Sequence, residues 1–251
     1  MSEIMPKSEH SLQIIAQIHN DFPEKFGVPH QSGWLKKQKA QIIFEPEYRR
    51  PEAFRGIEEY DYIWLIWQFS EAVEKGWSST VRPPRLGGNV RKGVFATRSP
   101  FRPNHLGLSC VRLEKVEQHP RLGIILHVSG ADLMDGTPVF DIKPYLPYVE
   151  SHPGAAGGFT DQIERSRLAV EFPEELLEKI PEEQRAALTE VLENDPRPGY
   201  QEDPNRIYGL SYGSKNIKFH VKERVLTVCE VTEYKKEQTD LLDVIEECKE
   251  R

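Results

Sequence analysis

Short runs of β-branched and aromatic residues, separated by Gly, Pro and Asn, recur through the first half of the chain. This pattern is typical of strands, and it predicts strands at residues 12–18, 40–45, 62–69, 93–97, 108–116 and 124–128. The intervening stretches at residues 82–88 and 144–147 hold too many prolines and glycines for regular helices. The sequence therefore predicts a β-rich first half with long loops, and such loops are the usual carriers of function.

The composition changes at residues 151–158, where small residues follow one another as in a linker. We therefore predict two domains, residues 1–155 and residues 156–251. In the second, apolar residues at helical spacing predict two helices, and β-rich runs predict three strands. A small α+β domain is expected, with helices around 176–180 and 187–192, strands at 207–212, 217–221 and 225–231, and an amphipathic tail helix around 241–248.

The composition excludes several classes of protein. The longest apolar run, residues 62–67, is far shorter than the roughly 20 residues of a membrane span, and residues 1–10 are too polar for a signal peptide. A cytoplasmic protein without a membrane partner is the expectation. The three cysteines do not form the close pairs of a zinc or redox motif.

Charge is distributed unevenly along the chain. Residues 82–102 hold six basic residues and no acidic one, whereas residues 171–204 hold eleven acidic and three basic residues. Guanidinium groups bind phosphates and flat rings stack on bases, so the basic segment suits RNA. The alternative is a solvated basic face paired with the acidic half of the chain.

Dinucleotide-binding, P-loop and nucleophile-elbow motifs do not occur. Two other long motifs stand out, at residues 97–107 (TRSPFRPNHLG) and 131–145 (ADLMDGTPVFDIKPY). Together with residues 81–89 and 195–200 (DPRPGY), they closely resemble the TsaA-like (TrmO) family of tRNA methyltransferases. The resemblance extends over about residues 12–231.

This resemblance implies an enzyme that depends on S-adenosylmethionine and methylates N6 of threonylcarbamoyladenosine at position 37, beside the anticodon of tRNA. It also implies a mainly β fold, in which a β-barrel catalytic domain precedes a small α+β C-terminal domain, and a homodimer. The rival hypothesis is a non-catalytic RNA-binding β-barrel module without a cofactor. A phosphate-handling hydrolase is the third hypothesis.

The resemblance also implies a set of cofactor-binding residues. Arg98 is expected to meet the methionyl carboxylate, and Asp132 can hold ribose hydroxyls or balance the sulfonium charge. A turn aspartate that caps its own backbone is the alternative for Asp132. The full predicted set is His30, Gln31, Ser32, Ser70, Glu71, Arg98, Leu108, Ser129, Gly130, Ala131 and Asp132.

Asp141 and Lys143 flank Ile142, so both point to one side of a strand. They form either a mutual ion pair or a catalytic pair in which Asp141 accepts the N6 proton.

Other polar and aromatic residues are predicted to bind tRNA. Arg102 can meet a phosphate or the threonyl carboxylate, or it can tie its own loop together. Asn104 is equally suited to a turn, and a helix-ending turn equally explains the 195–200 motif. The predicted set is Arg82, Arg85, Arg102, Asn104, Arg197 and Tyr200.

Overall fold

Eight strands occupy the first half of the protein in the computed structural model, which describes residues 10–86, 89–162, 167–197 and 203–234. Six of them close into a barrel in the order β1-β2-β7-β6-β3-β8, with every described pairing antiparallel. The remaining two, β4 and β5, form a short ribbon. The strands are β1 Ala16–Asn20, β2 Lys39–Phe44, β3 Tyr62–Gln68, β4 Thr80–Val81, β5 Lys92–Gly93, β6 Leu106–His119, β7 Gly123–Ser129 and β8 Thr137–Pro144.

The alternation of β3 explains how these strands form a barrel. Ile63, Leu65 and Trp67 are buried inside, whereas Tyr62 and the other alternate residues face outward. A strand with this period of two buries one face only, and closing the sheet places that face in a common core. The mainly β prediction is confirmed.

One predicted strand is wrong. Residues 93–97 contribute only Gly93 to β5, and Val94–Ala96 form a turn of 3-10 helix. Val94 is buried but Phe95 is 76% exposed, so this run has only one inward side chain. A strand is held in register by an alternating buried face, and residues 93–97 lack one. Five further 3-10 turns lie among the described residues of this half, at Pro46–Tyr48, Pro51–Phe54, Ile57–Glu59, Ser70–Lys75 and Pro84–Leu86.

The second half is the predicted small α+β unit. Its sheet has the order β10-β11-β12-β9, in which β9 runs parallel to β12. Apolar residues of α3 and of the sheet share one core, as the helical spacing predicts. A short helix, α1 Pro147–Glu150, follows β8 and contacts the barrel through Glu150 and Trp64. The elements of the second half are a 3-10 turn at Gly158–Gln162, β9 Ala169–Glu171, α2 Glu174–Leu177, α3 Glu182–Glu193, β10 Tyr208–Tyr212, β11 Lys215–Lys222 and β12 Val225–Glu233.

The core of the second half also takes residues from the first. Phe22 and Leu35, in the connection between β1 and β2, are buried together with residues of α3 and the four-stranded sheet. The predicted boundary after residue 155 stays a prediction, and the predicted tail helix lies outside the described residues. None of the helices in the described ranges is long and apolar enough to cross a membrane.

Candidate active site

A cavity of about 630 Å³ opens at one end of the barrel. Four pieces of chain surround it: the connection between β1 and β2, the end of β3 with the turn that follows, the loop that leads into β6, and the segment between β7 and β8. The lining residues are Lys25, Val28, Pro29, His30, Gln31, Ile66, Trp67, Gln68, Phe69, Ser70, Glu71, Ala72, Lys75, Thr97, Arg98, Pro100, Phe101, Arg102, Leu106, Gly107, Leu108, Asp132, Leu133, Met134 and Thr137.

The proline-rich loop before β6 is held in shape by its own side chains. Arg102 Nη1 donates to the carbonyl oxygens of Thr97 at 3.1 Å and Ser99 at 3.3 Å. His105 is buried with φ +50°, and its Nδ1 lies 2.8 Å from the carbonyl oxygen of Pro100. Because a carbonyl only accepts, this nitrogen carries the proton. Arg102 thus ties its own loop together, while its side chain still lines the cavity.

Arg98 and Gln31 meet across the mouth of the cavity. Arg98 Nη1 donates to Gln31 Oε1 at 2.7 Å, which joins the loop before β6 to the connection between β1 and β2. The guanidinium is exposed and keeps further donors for a ligand. It also attracts the carboxylate of Asp132 electrostatically.

Asp132 is the buried acid of the cavity. Ser109 Oγ donates to its Oδ1, and the backbone N–H of Ser32 stabilises the same carboxylate. Trp67 Nε1 in turn donates to Ser109 Oγ at 2.9 Å. Burial raises the pKa of Asp132 to about 6, although these hydrogen bonds and Arg98 oppose the shift. This carboxyl therefore changes charge around pH 6.

Gly107 allows Trp67 to lie at the base of the cavity. A Cβ atom at position 107 would stand 2.2 Å from Trp67 Cε2, so only glycine fits against the indole. The next residue, Leu108, is 51% exposed and lines the cavity. A large apolar side chain left open in this way suits contact with an apolar part of a ligand.

The structure brings eight of the predicted site residues into the lining of one cavity. They come from four separate parts of the sequence: His30, Gln31, Ser70, Glu71, Arg98, Arg102, Leu108 and Asp132.

Four predicted cofactor residues lie behind the lining. Ser32 Oγ accepts from the backbone N–H of Cys110 at 3.2 Å, and Ser129 Oγ donates to Glu114 Oε1 at 2.5 Å. Gly130 bonds through its backbone to Gln38 and Gly33, and Ala131 is buried in the barrel core. Their predicted contacts with a cofactor stay predictions.

Asp141 and Lys143 form an ion pair of 2.8 Å on the outer face of β8. In the sheet, Asp141 lies opposite Ile66 of β3, and Ile66 lines the cavity. The Asp141–Lys143 ion pair is therefore on the strand next to the cavity lining. This position is compatible with both hypotheses, a mutual ion pair and a catalytic pair.

Among the described residues, the predicted tRNA-binding residues do not form one cluster, and only Arg102 lines the cavity. Arg82 and Asn104 are exposed outside the cavity lining. Arg197 makes two hydrogen bonds of 2.8 Å to the carboxylate of Asp195, as expected of a structural turn. Tyr200 and the side chain of Arg85 lie outside what the structure describes.

Four residues of the site were not predicted from the sequence. Trp67, Lys25 and Lys75 line the cavity, and Ser109 supports it through its hydrogen bond with Trp67. A signal existed for Ser109, because it occupies the same face of β6 as the buried Val111. A polar residue on an inward face needs a partner. The partners, Trp67 and Asp132, depend on barrel closure and cannot be identified from local sequence.

Comparison with known proteins agrees with this geometry. The family model of the tRNA-methyltransferase O N-terminal domain matches residues 17–151, and that of the TrmO C-terminal domain matches residues 165–234. The chain is 39% identical over 224 residues to the tRNA (adenine(37)-N6)-methyltransferase of Escherichia coli (strain K12), which is 86% of this chain and 95% of that protein.

A tRNA (adenine(37)-N6)-methyltransferase of Eikenella corrodens is 44% identical over 165 residues, or 65% of this chain and 92% of that protein. The crystal structure of TrmO from Pseudomonas aeruginosa matches with a TM-score of 0.72 at 31% identity, over 90% of this chain and 100% of that chain. Both family domains are thus matched in order, on the observed barrel and the observed small sheet. The chain belongs to the TrmO family.

Proposed function

We propose that this protein is a tRNA methyltransferase that transfers a methyl group from S-adenosylmethionine to N6 of threonylcarbamoyladenosine at position 37, next to the anticodon. The observation that carries the proposal is the cavity at the barrel end, where the Arg98 guanidinium and the buried Asp132 carboxylate face one space. The relatives named as methyltransferases of adenine 37 support the choice of substrate.

The residues of the cavity fit S-adenosylmethionine. A volume of about 630 Å³ lies within the usual range of roughly 300–1,000 Å³ for small-molecule sites. Arg98 would hold the methionyl carboxylate, Asp132 would face the sulfonium, and Leu108 would cover an apolar part of the molecule. When bound, S-adenosylmethionine supplies an electrophilic methyl group.

The protein's own part in the reaction is mainly to position the nucleophile. Holding two reactants in a near-attack arrangement supplies much of the rate enhancement in a displacement of this type. A carbamoyl group on N6 makes the departing proton more acidic, so a modest base suffices. Asp141, near the cavity and held by Lys143, is the proposed acceptor of that proton, and the same pair is the proposed catalytic pair.

The basic segment 82–102 is the proposed contact with the tRNA backbone. Its proposed tRNA ligands are Arg82, Arg85 and Arg102, and Asn104, just after the segment, is a further proposed ligand. Arg82 is exposed, and Arg98 and Arg102 line the cavity, so the cationic surface runs up to the site. In the second half, Arg197 and Tyr200 are the proposed contacts to the anticodon loop, whose unstacked bases suit arginine and aromatic side chains.

We further propose that the enzyme is a cytoplasmic homodimer. The outer surface of the barrel supports a dimer, because Tyr62 on β3 is 42% exposed. Tyr148, in α1 just after β8, is 82% exposed. Apolar surface of this kind commonly marks an interface.

Calorimetric titration with S-adenosylmethionine tests the proposal. We expect specific binding by the wild type, loss of binding by Arg98→Ala, and retention by Arg91→Ala. Arg91 is the matched control because it belongs to the same basic segment but bonds to Thr80 and does not line the cavity. Absence of binding with and without tRNA would favour the cofactor-free RNA-binding module.

A further inference from the structure

The connection between β1 and β2, residues 21–38, belongs to both halves of the molecule. Phe22 and Leu35 are buried in the core of the second half, whereas Pro29, His30 and Gln31 line the cavity. Val28 does both, since it packs against the second core and also lines the cavity. We refer to residues 21–38 as the bridging segment.

Residues of the second half hold both ends of the bridging segment. The Tyr212 hydroxyl lies beside both Gln38 and Asp21, and burial together with the Asp21 carboxylate raises its pKa, so it is protonated and donates. The anchoring hydrogen bonds run from Tyr212 Oη to Gln38 Oε1 at 2.5 Å, from Gln184 Nε2 to Asp21 Oδ1 at 2.7 Å, and from the backbone N–H of Lys37 to Glu190 Oε2 at 2.8 Å. The residues joined lie up to 174 positions apart in sequence.

The middle of the bridging segment is held by the barrel instead. The backbone N–H of Gly33 donates to the carbonyl oxygen of Gly130 at 2.8 Å. Gly130 in turn donates to the carbonyl oxygen of Gln38 at 3.1 Å. Gln38 therefore accepts two hydrogen bonds: its side chain accepts one from Tyr212 in the second half, and its backbone carbonyl oxygen accepts one from Gly130 of the barrel.

We propose that Tyr212 and Gln184 are positioning residues for the reaction. From the second half they fix the ends of the bridging segment, so that Gln31 meets Arg98 in the cavity lining and the backbone N–H of Ser32 meets Asp132. This inference rests on the proposed function for the identity of the cofactor. It gives the second half a part in cofactor binding in addition to any contact with tRNA.

The test compares Tyr212→Phe with Tyr208→Phe. Both tyrosines are buried on β10, but the Tyr208 hydroxyl makes no hydrogen bond to the bridging segment. Tyr212→Phe leaves the amide oxygen of Gln38 without its donor at nearly unchanged volume. A Gln184→Ala variant loosens the other end of the segment in the same way.

Three quantities are measured on the whole chain: amide hydrogen exchange, the affinity for S-adenosylmethionine and the affinity for tRNA. In Tyr212→Phe we expect faster amide hydrogen exchange at residues 30–33 and S-adenosylmethionine binding that is weaker by about three- to tenfold, the effect of one buried hydrogen bond. Tyr208→Phe is expected to change neither quantity, and tRNA affinity is expected to stay constant in both variants.

The inference would be overturned if the amide hydrogen exchange rates at residues 30–33 were equal in Tyr212→Phe, Gln184→Ala and Tyr208→Phe. It would also be overturned if Tyr212→Phe and Gln184→Ala bound S-adenosylmethionine with unchanged affinity. A wild type that binds no S-adenosylmethionine would refute the proposed function. The exchange comparison would then still decide whether the second half orders the bridging segment.

Discussion

Trp67 Nε1 donates a hydrogen bond to Ser109 Oγ at 2.9 Å inside the barrel, and this bond fixes the direction of the proton that Ser109 donates. Indole is a donor only and a serine hydroxyl has a single proton, so that proton points to Asp132 Oδ1. The carboxylate of Asp132 is thereby held at the cavity wall by a chain of two hydrogen bonds. A charge held in this way is preorganised for a cationic ligand.

Replacing Asp132 with Asn is expected to weaken the binding of S-adenosylmethionine by about tenfold or more, because the attraction to the sulfonium is lost. S-Adenosylhomocysteine, which lacks that charge, is expected to lose much less affinity. Calorimetry with both ligands measures the difference. Asp135→Asn is the control, since Asp135 accepts from His19 and from the backbone of Asn20 outside the cavity lining. Equal losses for both ligands would contradict the role given to Asp132.

The pKa of Asp132, raised to about 6 by burial, predicts a pH dependence of cofactor binding. Above pH 6 the carboxyl is ionised and attracts the sulfonium, whereas below pH 6 it is protonated and neutral. We expect affinity to be about tenfold lower at pH 5 than at pH 7, following the ionised fraction. Titrations across this range check it, and a wild-type profile as flat as that of Asp132→Asn would be incompatible with the prediction.

Asp141→Asn is expected to slow single-turnover methyl transfer by about 100-fold at saturating cofactor, the usual contribution of a general base. The affinity for S-adenosylmethionine is expected to stay constant, because Asp141 does not line the cavity. Glu117→Gln is the control, since Glu117 is likewise paired with a lysine on the barrel surface, Lys115, at 2.8 Å. An unchanged rate would show that Asp141 and Lys143 are only an ion pair.

Arg82→Gln is expected to weaken tRNA binding about equally for all tRNA sequences. The slope of log affinity against log salt is expected to become shallower by about one, as for the loss of one phosphate contact. Binding isotherms at several salt concentrations measure this slope. Arg50→Gln, at an exposed arginine outside the basic segment, is expected to leave it unchanged. A loss of affinity with no change of slope would argue against a phosphate contact at Arg82.

Most barrel strands could be predicted because their signal is local. In β3 the alternation of Ile63, Leu65 and Trp67 with outward residues is visible in seven residues of sequence. Residues 93–97 were predicted wrongly, because β-branched and aromatic content without alternation does not define a strand face.

The cavity could be predicted only in part, because barrel closure assembles it. The motifs containing Arg98 and Asp132 were identified from the sequence. The residues that hold Asp132 in place, Trp67 and Ser109, were not. Trp67 and Ser109 are 42 positions apart, and Ser109 and Asp132 are 23 apart. Contacts at such separations depend on the register of β3, β6 and the segment after β7, which no local pattern specifies.

The proposed reaction is tested by mass analysis of the nucleosides of threonylcarbamoylated tRNA, after incubation with the purified protein and S-adenosylmethionine labelled in its methyl group. We expect threonylcarbamoyladenosine to gain one labelled methyl group on N6 with the wild type, and none to be added by Arg98→Ala. Unchanged threonylcarbamoyladenosine with wild-type protein, under conditions in which the protein binds both the tRNA and S-adenosylmethionine, would contradict it.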